Sequence, residues 1–287
     1  MMSGGLKYQF ARLNIAEKLI AVNVLIFLLD GLSGALLGQS FSHWFHLPKD
    51  FFEFIAQPWS LVTYSFFHAG FGHIFWNMIV LYFASRIFLN LFDAQRFINV
   101  YFLGLMLGGL LFLLSYNVFP TLVNSNTALI GASAGVNAVL IFVCTYLPNQ
   151  EVRVVFFNIK LWYIGAALVI KDLVLIGMGD NIGGGMAHLG GAFLGYMYAR
   201  QLFKGKDIGS GFTKFRNAIA DLFKPKEKKA PLKTVYKKKT SSTSKKDYDK
   251  QAKQRKIDTI LDKISKSGYE SLSKEEKDFL FKAGKED

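Results

Sequence analysis

The sequence predicts an all-α, polytopic membrane protein: a bundle of six transmembrane helices with a short soluble helical tail. Hydrophobic residues make up 51% of the 287 residues, and they occur in long apolar runs rather than at amphipathic spacing. A run of about 20 apolar residues is long enough to cross the hydrocarbon layer of a bilayer. Charge is divided unevenly, because residues 1–203 carry a net charge of +2 and residues 204–287 carry +11.

This division of charge predicts three parts. Residues 1–203 form the membrane domain, residues 204–250 a basic flexible linker, and residues 251–287 a small cytoplasmic helical hairpin. The linker begins with a stretch that can continue helically to residue 221, and it then becomes rich in Lys, Ser and Thr, a composition typical of disorder. In the hairpin, Ser273 and Glu276 form a capping-box pattern at the start of a second helix.

The predicted spans follow the apolar runs. They are Ile15–Leu37, Phe66–Leu89, Phe97–Phe119, Ser133–Leu147, Leu161–Gly177 and Gly184–Phe203, with a polar turn at Asn124–Thr127. The first run is too long for a signal-peptide core and lacks a clear cleavage site, so we interpret it as a retained anchor. Residues 38–60 are rich in Phe and Trp, which are typical of the headgroup region, so this loop is expected to lie partly in the interface.

The charges of the connecting loops predict the orientation. One set of connections contains Lys7, Arg12, Lys18, Arg86, Arg96, Arg153 and Lys160, and the basic tail lies on the same side. The opposite set contains Lys49, Asp50, Glu53 and Asp180. Because Lys and Arg are enriched in cytoplasmic loops, both termini are expected in the cytoplasm and the protein in the cell membrane. Ser133 and His188 then begin their spans at the outer side.

Ser133 is the candidate nucleophile. It lies between Gly131 and Gly135, where a polar loop becomes an apolar span. The first N–H groups of a helix have no partner within the helix, so they can stabilise an oxyanion formed beside this hydroxyl. Ser is equally a favoured helix-capping residue, and the short motif by itself does not decide between a nucleophile and a cap.

Histidines supply a candidate general base and further polar groups. His188 begins the sixth span, while His68, His73 and Asn77 cluster at the start of the second. His73 and Asn77 are four residues apart and therefore share a helix face. Each of these side chains is also compatible with a purely structural role, as a hydrogen-bonding residue at an interface or between helices.

Small residues provide a way to bring Ser133 and His188 together. Gly191 and Gly195 on the sixth span, with Gly131 and Gly135 opposite, allow two helices to approach closely. His188 can then reach Ser133 and act as its general base.

Two charged residues, Lys171 and Asp172, lie in the middle of the fifth span, where charge is costly. Adjacent residues on a helix do not face each other, so the two are not a ready-made ion pair. Either the pair faces a watery cavity, or the helix is shifted so that one of its ends lies at the interface. Neither Asp172 nor Asp180 has a helical spacing from His188 that indicates a partnership.

A metal site is the weaker alternative for the histidines. His43 and His46 lie in the first loop and could join His68 and His73, but no Asp or Glu accompanies them at metalloprotease spacing. The single cysteine, Cys144, lies in an apolar run and offers no thiolate cluster. No metal and no cofactor are therefore expected.

Taken in order, these motifs resemble the rhomboid family of intramembrane serine proteases. The pattern consists of His68-x4-His73-x3-Asn77, then Gly131-Ala-Ser133, then Ala187-His188-x2-Gly191-x3-Gly195, over residues 15–203. The resemblance implies a six-helix rhomboid-like bundle with Ser133 as nucleophile and His188 as general base. It assigns His73, Asn77 and the backbone N–H of Ser133 to an oxyanion hole, with His68 supporting it. It also implies that the loop before Trp59 is embedded in the membrane and that the fifth span is a lateral gate.

The chain departs from the family pattern at two positions. Ala134 follows the serine where the strict motif has Gly, and Asn137 stands one turn later where many members have an aromatic residue that stacks on the histidine. An Asn at this position can hydrogen-bond the imidazole instead.

The expected function is cleavage of single-span membrane proteins near the outer membrane face. The alternative is an inactive rhomboid-like chaperone or binder of membrane helices. A small-molecule transporter would show internal repeats with broken helices, which the sequence lacks. The basic tail is expected near anionic lipid, because each Lys or Arg close to such a surface contributes about 1 kcal/mol. No nucleic acid is expected as a partner, because few aromatic residues lie among the tail's charges.

Overall fold

The computed structural model describes residues 5–119, 127–154, 156–223 and 245–284. The chain divides into two compact units, Met1–Lys224 and Pro225–Asp287. Residues 124–126 of the predicted polar turn and residues 224–244 of the predicted linker lie outside the described residues.

The first unit is built from helices, which confirms the all-α class. Two short helices, α1 (Leu6–Arg12) and α10 (Ser210–Leu222), flank the bundle in sequence. The helices at the predicted spans are α2 (Ile15–Leu37), α5 (Phe71–Leu91), α6 (Ala94–Val118), α7 (Ser133–Tyr146), α8 (Leu161–Gly177) and α9 (Ile182–Phe203). Among the described residues, α2, α5 and α6 are long and apolar enough to cross a membrane by themselves, and α7 is apolar but shorter.

Local capping explains where these helices begin. The Asn14 side chain accepts hydrogen bonds from the backbone N–H groups of Ala16 and Glu17, and the Glu17 carboxylate accepts one from Asn14 N–H, which completes a capping box before α2. Asp93 caps α6 through Arg96 N–H. These side chains supply partners for N–H groups that a helix leaves unpaired at its start.

The second span begins later than the sequence predicted. Tyr64–Phe66 forms a 3₁₀ turn, and Phe67 is extended, so α5 starts at Phe71 rather than Phe66. The apolar run is therefore not helical before Phe71. His68 lies in this non-helical part, beside the segment that leads to Ser133 (the serine segment).

The central helices of the bundle are α6, α7 and α9, which pack directly against one another. Large aromatic side chains fill this core, and Tyr101, Phe112, Phe142 and Tyr198 are almost completely buried. By contrast, α8 buries Leu161, Gly165 and Asp172 and exposes most of its other residues. It is therefore a peripheral helix, packed against α7 and α9.

The aromatic first loop folds against the serine segment. It contains a 3₁₀ turn (Phe41–Trp44) and two short helices, α3 (Phe51–Ala56) and α4 (Ser60–Thr63). Its strand β1 (Leu47–Pro48) pairs antiparallel with β2 (Ala128–Leu129), with Leu47 opposite Leu129. This pairing holds the backbone that leads to Ser133. A separate β-hairpin, formed by β3 (Glu151–Val154) and β4 (Phe157–Lys160), joins α7 to α8.

A partly buried polar cluster holds the start of α10 to the bundle. Arg96 Nε lies 3.1 Å from Asp207 Oδ2, and the Tyr198 hydroxyl donates to Asp207 Oδ1. Asn99 Nδ2 donates to Thr213 Oγ1 at 2.8 Å. Partial burial favours a higher pKa for Asp207, but hydrogen bonds from Tyr198, from Gly209 N–H and from Arg96 outweigh it and lower the pKa.

The second unit contains two helices, α11 (Lys245–Ser267) and α12 (Lys274–Ala283), joined by a 3₁₀ turn at Tyr269–Ser271. The capping box of Ser273 and Glu276 is present as predicted. The first helix begins at Lys245, six residues before the predicted start at residue 251. Ile260 and Leu272 are its buried apolar side chains among the described residues, so its core is small.

Candidate active site

Ser133 is the first residue of α7, at the point predicted from the sequence. The preceding segment is fixed from two sides, because β2 pairs with the first loop and Gly131 N–H donates to the Tyr64 carbonyl at 3.0 Å. Helix α7 lacks a side-chain cap at its start, so the first backbone N–H groups have no such partner. The serine hydroxyl therefore lies beside donors that are suited to bind an oxyanion.

Gly131 has a backbone conformation that other residues rarely adopt, with φ of +117°. A Cβ atom at this position would also lie 2.7 Å from His73 Nε2 and 3.8 Å from Ser133 Oγ. Both the backbone conformation and the space therefore require glycine. The absence of a side chain keeps His73 close to the serine segment.

His73 and Asn77 lie on one face of α5, as the spacing predicted. His73 Nδ1 accepts the Ala69 N–H at 3.3 Å, which leaves Nε2 as the protonated nitrogen, on the side nearer Gly131. Asn77 Nδ2 donates to the His73 carbonyl at 2.8 Å, and the amide carries a second N–H. Both side chains can therefore donate a hydrogen bond to a developing oxyanion.

His68 lies directly behind the serine segment. The Ala132 N–H donates to His68 Nε2 at 3.4 Å, and the His68 side chain is buried. Its ring is 5.1 Å from that of His73 in an edge-to-face arrangement. His68 thus contacts both the residue before Ser133 and one of the candidate oxyanion donors.

Small residues bring α9 against α7, but the partners differ from those predicted. A Cβ atom at Gly191 would overlap the Ala134 carbonyl oxygen, and one at Gly195 would overlap the Ala138 carbonyl oxygen. Gly135 instead faces α6, where a Cβ atom at this position would lie 2.9 Å from the Tyr101 ring. Ala134 and Ala138 therefore meet α9 through their backbone, whereas their methyl groups lie against Gly108 and Gly104 of α6.

His188 has an acidic partner, which corrects the sequence-based expectation. Its Nδ1 lies 3.0 Å from Asp172 Oδ1, and the Asp172 side chain is 5% exposed. Lys171 Nζ also lies 3.0 Å from Asp172 Oδ1, so the adjacent residues do form an ion pair. Lys171 can reach Asp172 because its side chain is long and flexible. Asp172 reaches His188 because the two residues lie on different helices, where spacing rules for a single helix do not apply.

One cavity of about 450 Å³ joins the candidate catalytic groups. Its lining includes polar side chains from α5, α7, α8 and α9, namely His73, Asn77, Ser133, Asn137, Lys171 and His188. Within the described part of the chain, no hydrogen bond joins Ser133 to His188, although both face this cavity. Such bonds are often long in proteins without substrate and shorten in the reacting complex.

Asn137, the residue that could hydrogen-bond the imidazole, faces the same cavity as His188. It lines the cavity one turn after Ser133, but among the described residues its side chain makes no hydrogen bond to His188. Asp172 accepts from the imidazole instead. The signal in the sequence for this contact was the presence of a charged residue, Asp172, within the apolar fifth span.

The remaining loop residues lie apart from this cavity. His43 Nδ1 is 2.8 Å from the Ser40 carbonyl, and its ring lies against Trp44. Trp59 Nε1 donates to the Trp44 carbonyl at 3.0 Å. A larger cavity of about 560 Å³ between α2 and the first loop has an almost wholly apolar lining, and no histidine is among the described residues that line it.

Comparison with known proteins identifies two regions. The Rhomboid domain matches residues 55–205, and a family of unknown function (DUF6576) matches residues 244–283. The first region contains all the cavity residues named above. The second coincides closely with α11 and α12.

Curated relatives match about half of the chain. RHOMBOID-like protein 12, mitochondrial, from Arabidopsis thaliana is 30% identical over 159 residues, which are 51% of this chain and 47% of the relative. Presenilin-associated rhomboid-like protein A, mitochondrial, from Danio rerio is 31% identical over 141 residues, 48% of this chain and 36% of the relative. Presenilin-associated rhomboid-like protein, mitochondrial, from Homo sapiens is 29% identical over 147 residues, 50% of this chain and 37% of the relative.

The chain thus matches less than half of the length of each of these relatives. The match to the Rhomboid domain nevertheless covers more than half of the chain and includes Ser133 and His188. Together with the multi-pass helical bundle, this match confirms the resemblance seen in the sequence: the protein is a member of the rhomboid family.

Proposed function

We propose that this protein is an intramembrane serine endopeptidase that cleaves single-span membrane proteins near the outer face of the membrane. The observation that carries the proposal is the shared cavity, in which Ser133 and His188 face the same space although 55 positions separate them in the sequence. His73 and Asn77 line the same cavity from a third helix. Together they constitute a nucleophile, a base and a set of oxyanion donors.

In the proposed reaction, Ser133 Oγ attacks the carbonyl carbon of the scissile peptide bond while its proton passes to His188 Nε2. The resulting tetrahedral oxyanion accepts hydrogen bonds from Ser133 N–H, His73 Nε2–H and Asn77 Nδ2–H. Protonated His188 then gives its proton to the departing amine as the C–N bond breaks. A water molecule, deprotonated by His188, hydrolyses the acyl-enzyme and restores Ser133.

The proposal also requires water at the dyad, and the lining of the cavity is suited to admit it. Polar side chains from several helices line it, and the His188 side chain is 16% exposed. A single-span substrate would reach the cavity beside α8, whose exposed apolar face makes it the candidate lateral gate. Such a substrate must locally unwind, because backbone hydrogen bonds within a helix shield its peptide groups.

The orientation is also part of the proposal. The basic residues of alternate loops support a cytoplasmic location for both termini in a cell membrane, with the cavity towards the outer side. Single cysteines introduced in the first loop and in the β3–β4 hairpin would test this orientation. We expect a membrane-impermeant thiol reagent, applied from outside, to label the first site and not the second.

Cleavage of a single-span reporter tests the proposed activity. We expect the wild type to cleave it in detergent and in vesicles, and Ser133→Ala and His188→Ala to be inactive. Ser115→Ala and His43→Ala are matched controls, because Ser115 bonds to the Phe112 carbonyl within α6 and His43 lies in the first loop. Both controls should retain wild-type cleavage.

A fluorophosphonate reagent provides an independent measurement, since it labels an activated serine without requiring a peptide substrate. It should label the wild type and not Ser133→Ala. Equal cleavage by wild type and Ser133→Ala would disprove the peptidase. Binding of the reporter without cleavage or labelling would favour the chaperone or binder of membrane helices.

A further inference from the structure

Asp172 is a buried acid that the proposed Ser–His chemistry does not require. It lies in the middle of α8, and its side chain is 5% exposed. A carboxylate in the middle of a membrane helix is costly to insert, and such residues generally face an interior partner. A structural pair with Lys171 would not need burial, since the Lys171 side chain is 49% exposed. The burial of Asp172 therefore points to its other partner.

That partner is His188. An ionised carboxylate can only accept hydrogen bonds, so the 3.0 Å contact requires the proton of the neutral imidazole to be on Nδ1. The lone pair of the ring is then on Nε2, which is the nitrogen that can take a proton from Ser133. Without an acceptor at Nδ1, the neutral ring could place its proton on either nitrogen.

We propose that Asp172 is a positioning residue that holds His188 in the base-competent tautomer and stabilises its protonated form during the reaction. This inference rests on the proposed peptidase function. The site is then a Ser–His–Asp arrangement with one member from each of α7, α9 and α8. Lys171 takes part indirectly, because its ammonium group keeps a compensating charge at Asp172 Oδ1 when His188 is neutral.

The arrangement explains why the acid comes from a neighbouring helix. The contact between α9 and α7 is formed by glycine and backbone, so it leaves no room for a longer side chain behind the imidazole. On the other side, Gly185 of α9 faces Ile176 and the Asp172 carbonyl of α8. One turn later, His188 meets the Asp172 carboxylate across that interface.

Three variants test the role of Asp172 in the full-length protein. Asp172→Asn removes the charge with almost no change of volume, and Asp172→Leu also removes the hydrogen-bond acceptor. Asp172→Glu keeps a carboxylate on a longer side chain. Asp180→Asn is the matched control, since Asp180 is exposed in the loop before α9. We expect Asp172→Asn and Asp172→Leu to lower kcat about 100-fold or more, which is the typical contribution of general acid–base catalysis, with little change in KM. Asp172→Glu should recover part of this loss.

A structural role alone would not change the tautomer of His188, so ¹⁵N NMR of labelled histidine is the decisive readout. The His188 signals are identified by comparison with His188→Ala. We expect the wild type to carry its proton on Nδ1, and Asp172→Leu to shift it towards Nε2. The rate of fluorophosphonate labelling at Ser133 should fall in parallel with kcat.

The outcomes separate this inference from the proposed function. If the wild type fails to cleave or to react with the fluorophosphonate, the peptidase proposal fails, and the tautomer measurement still reports the Asp172–His188 link. If Asp172→Asn is folded and retains wild-type kcat, or if a folded Asp172→Leu leaves the tautomer unchanged, the positioning role is wrong. Because Asn is nearly isosteric, this variant decides the question even if Asp172→Leu does not fold.

Discussion

A side chain at Gly191 would occupy the space in which α9 meets the backbone of α7. The Cβ atom would overlap the Ala134 carbonyl oxygen, which cannot move aside as the end of a flexible side chain can. Residue size at this one position therefore sets how closely His188 approaches Ser133. A serine and a histidine at the right places in the sequence are insufficient without it.

We predict that Gly191→Val destabilises the bundle by about 1–3 kcal/mol, the usual cost of overpacking, and abolishes cleavage. Thermal unfolding in detergent measures the first effect and reporter cleavage the second. Gly34→Val in α2 is the matched control, because a Cβ atom there meets nothing within 4 Å. An active, fully stable Gly191→Val protein would show that the close approach does not set the site geometry.

The candidate oxyanion donors make a second prediction at this scale. His73→Ala and Asn77→Ala should each lower kcat by about 10²- to 10³-fold, which is the typical effect of removing one oxyanion donor. KM should change little, because the donors act on charge that develops after binding. His43→Ala serves as control for the histidine. A rise in KM with unchanged kcat would instead assign these side chains to substrate binding.

At the scale of residues, the sequence identified the members of the cavity but not all of their contacts. Ser133, His73 and Asn77 could be predicted because each has a local signal, namely a helix start or a shared helix face. Asp172 could not be assigned to His188, because a contact between two helices depends on their relative rotation and translation. No spacing within one helix encodes those quantities.

Helix α10 shows what a short amphipathic element contributes. Its polar side, with Thr213, bonds to Asn99 of α6, whereas Phe215, Ile219 and Leu222 are exposed. The helix begins seven residues after α9 ends at Phe203, so we expect it near the membrane surface. Its exposed apolar side chains are suited to the interfacial layer of a bilayer.

We predict that Asp207→Ala releases α10 from the bundle, because Asp207 joins Arg96, Tyr198 and Gly209. Faster backbone hydrogen exchange in α10, with unchanged exchange in α6, would be the expected result. Asn217→Ala changes an exposed polar residue of the same helix and serves as a comparison. Unchanged exchange in Asp207→Ala would mean that apolar contacts hold α10 in place.

The same cluster predicts a dependence on pH. The folded-state pKa of Asp207 is lowered from its ordinary value of 3.8, since hydrogen bonds from its neighbours outweigh the effect of burial. A lowered pKa contributes stability above the ordinary value, and this contribution is lost as the pH falls through the folded-state pKa. We therefore expect the protection of α10 to be constant from neutral pH down to about 4 and to decline below it, as measured by hydrogen exchange.

At the scale of elements, apolar runs predicted most helices, because a span needs a continuous hydrophobic stretch. Both ends of α2 and of α8 agree with the prediction. The predicted start of α5 was wrong, because hydrophobicity does not distinguish a helix from a 3₁₀ turn that is followed by extended chain. The short pairing of β1 with β2 was not predictable either, because it joins segments about 80 positions apart.

The molecule as a whole consists of two units that carry different charge. We propose that residues 1–203 act as the membrane domain, residues 204–250 as the linker and residues 251–287 as a cytoplasmic hairpin. The separate matches at residues 55–205 and 244–283 agree with two folded parts. The linker of this proposal includes α10, which bonds to α6, and the first turns of α11. The catalytic proposal places all of its chemistry in the first part.

We predict that deletion of residues 224–287 leaves kcat and KM for the reporter unchanged in detergent, because the cavity residues all precede this segment. In vesicles, the full-length protein should respond to anionic lipid and to salt through its basic tail, and the shortened protein should respond much less. Loss of cleavage in detergent would mean that the tail supports the membrane domain.

The position of Asp172 on the peripheral helix α8 has a consequence for turnover. Any displacement of α8 that widens the space beside α9 also lengthens the bond between the carboxylate and His188. Cleavage would thus be slowest while a substrate helix is still entering beside α8. It would recover when α8 returns to its contact with α9 and Asp172 again bonds to His188. Premature attack on passing membrane segments would be suppressed by geometry, without a separate inhibitor.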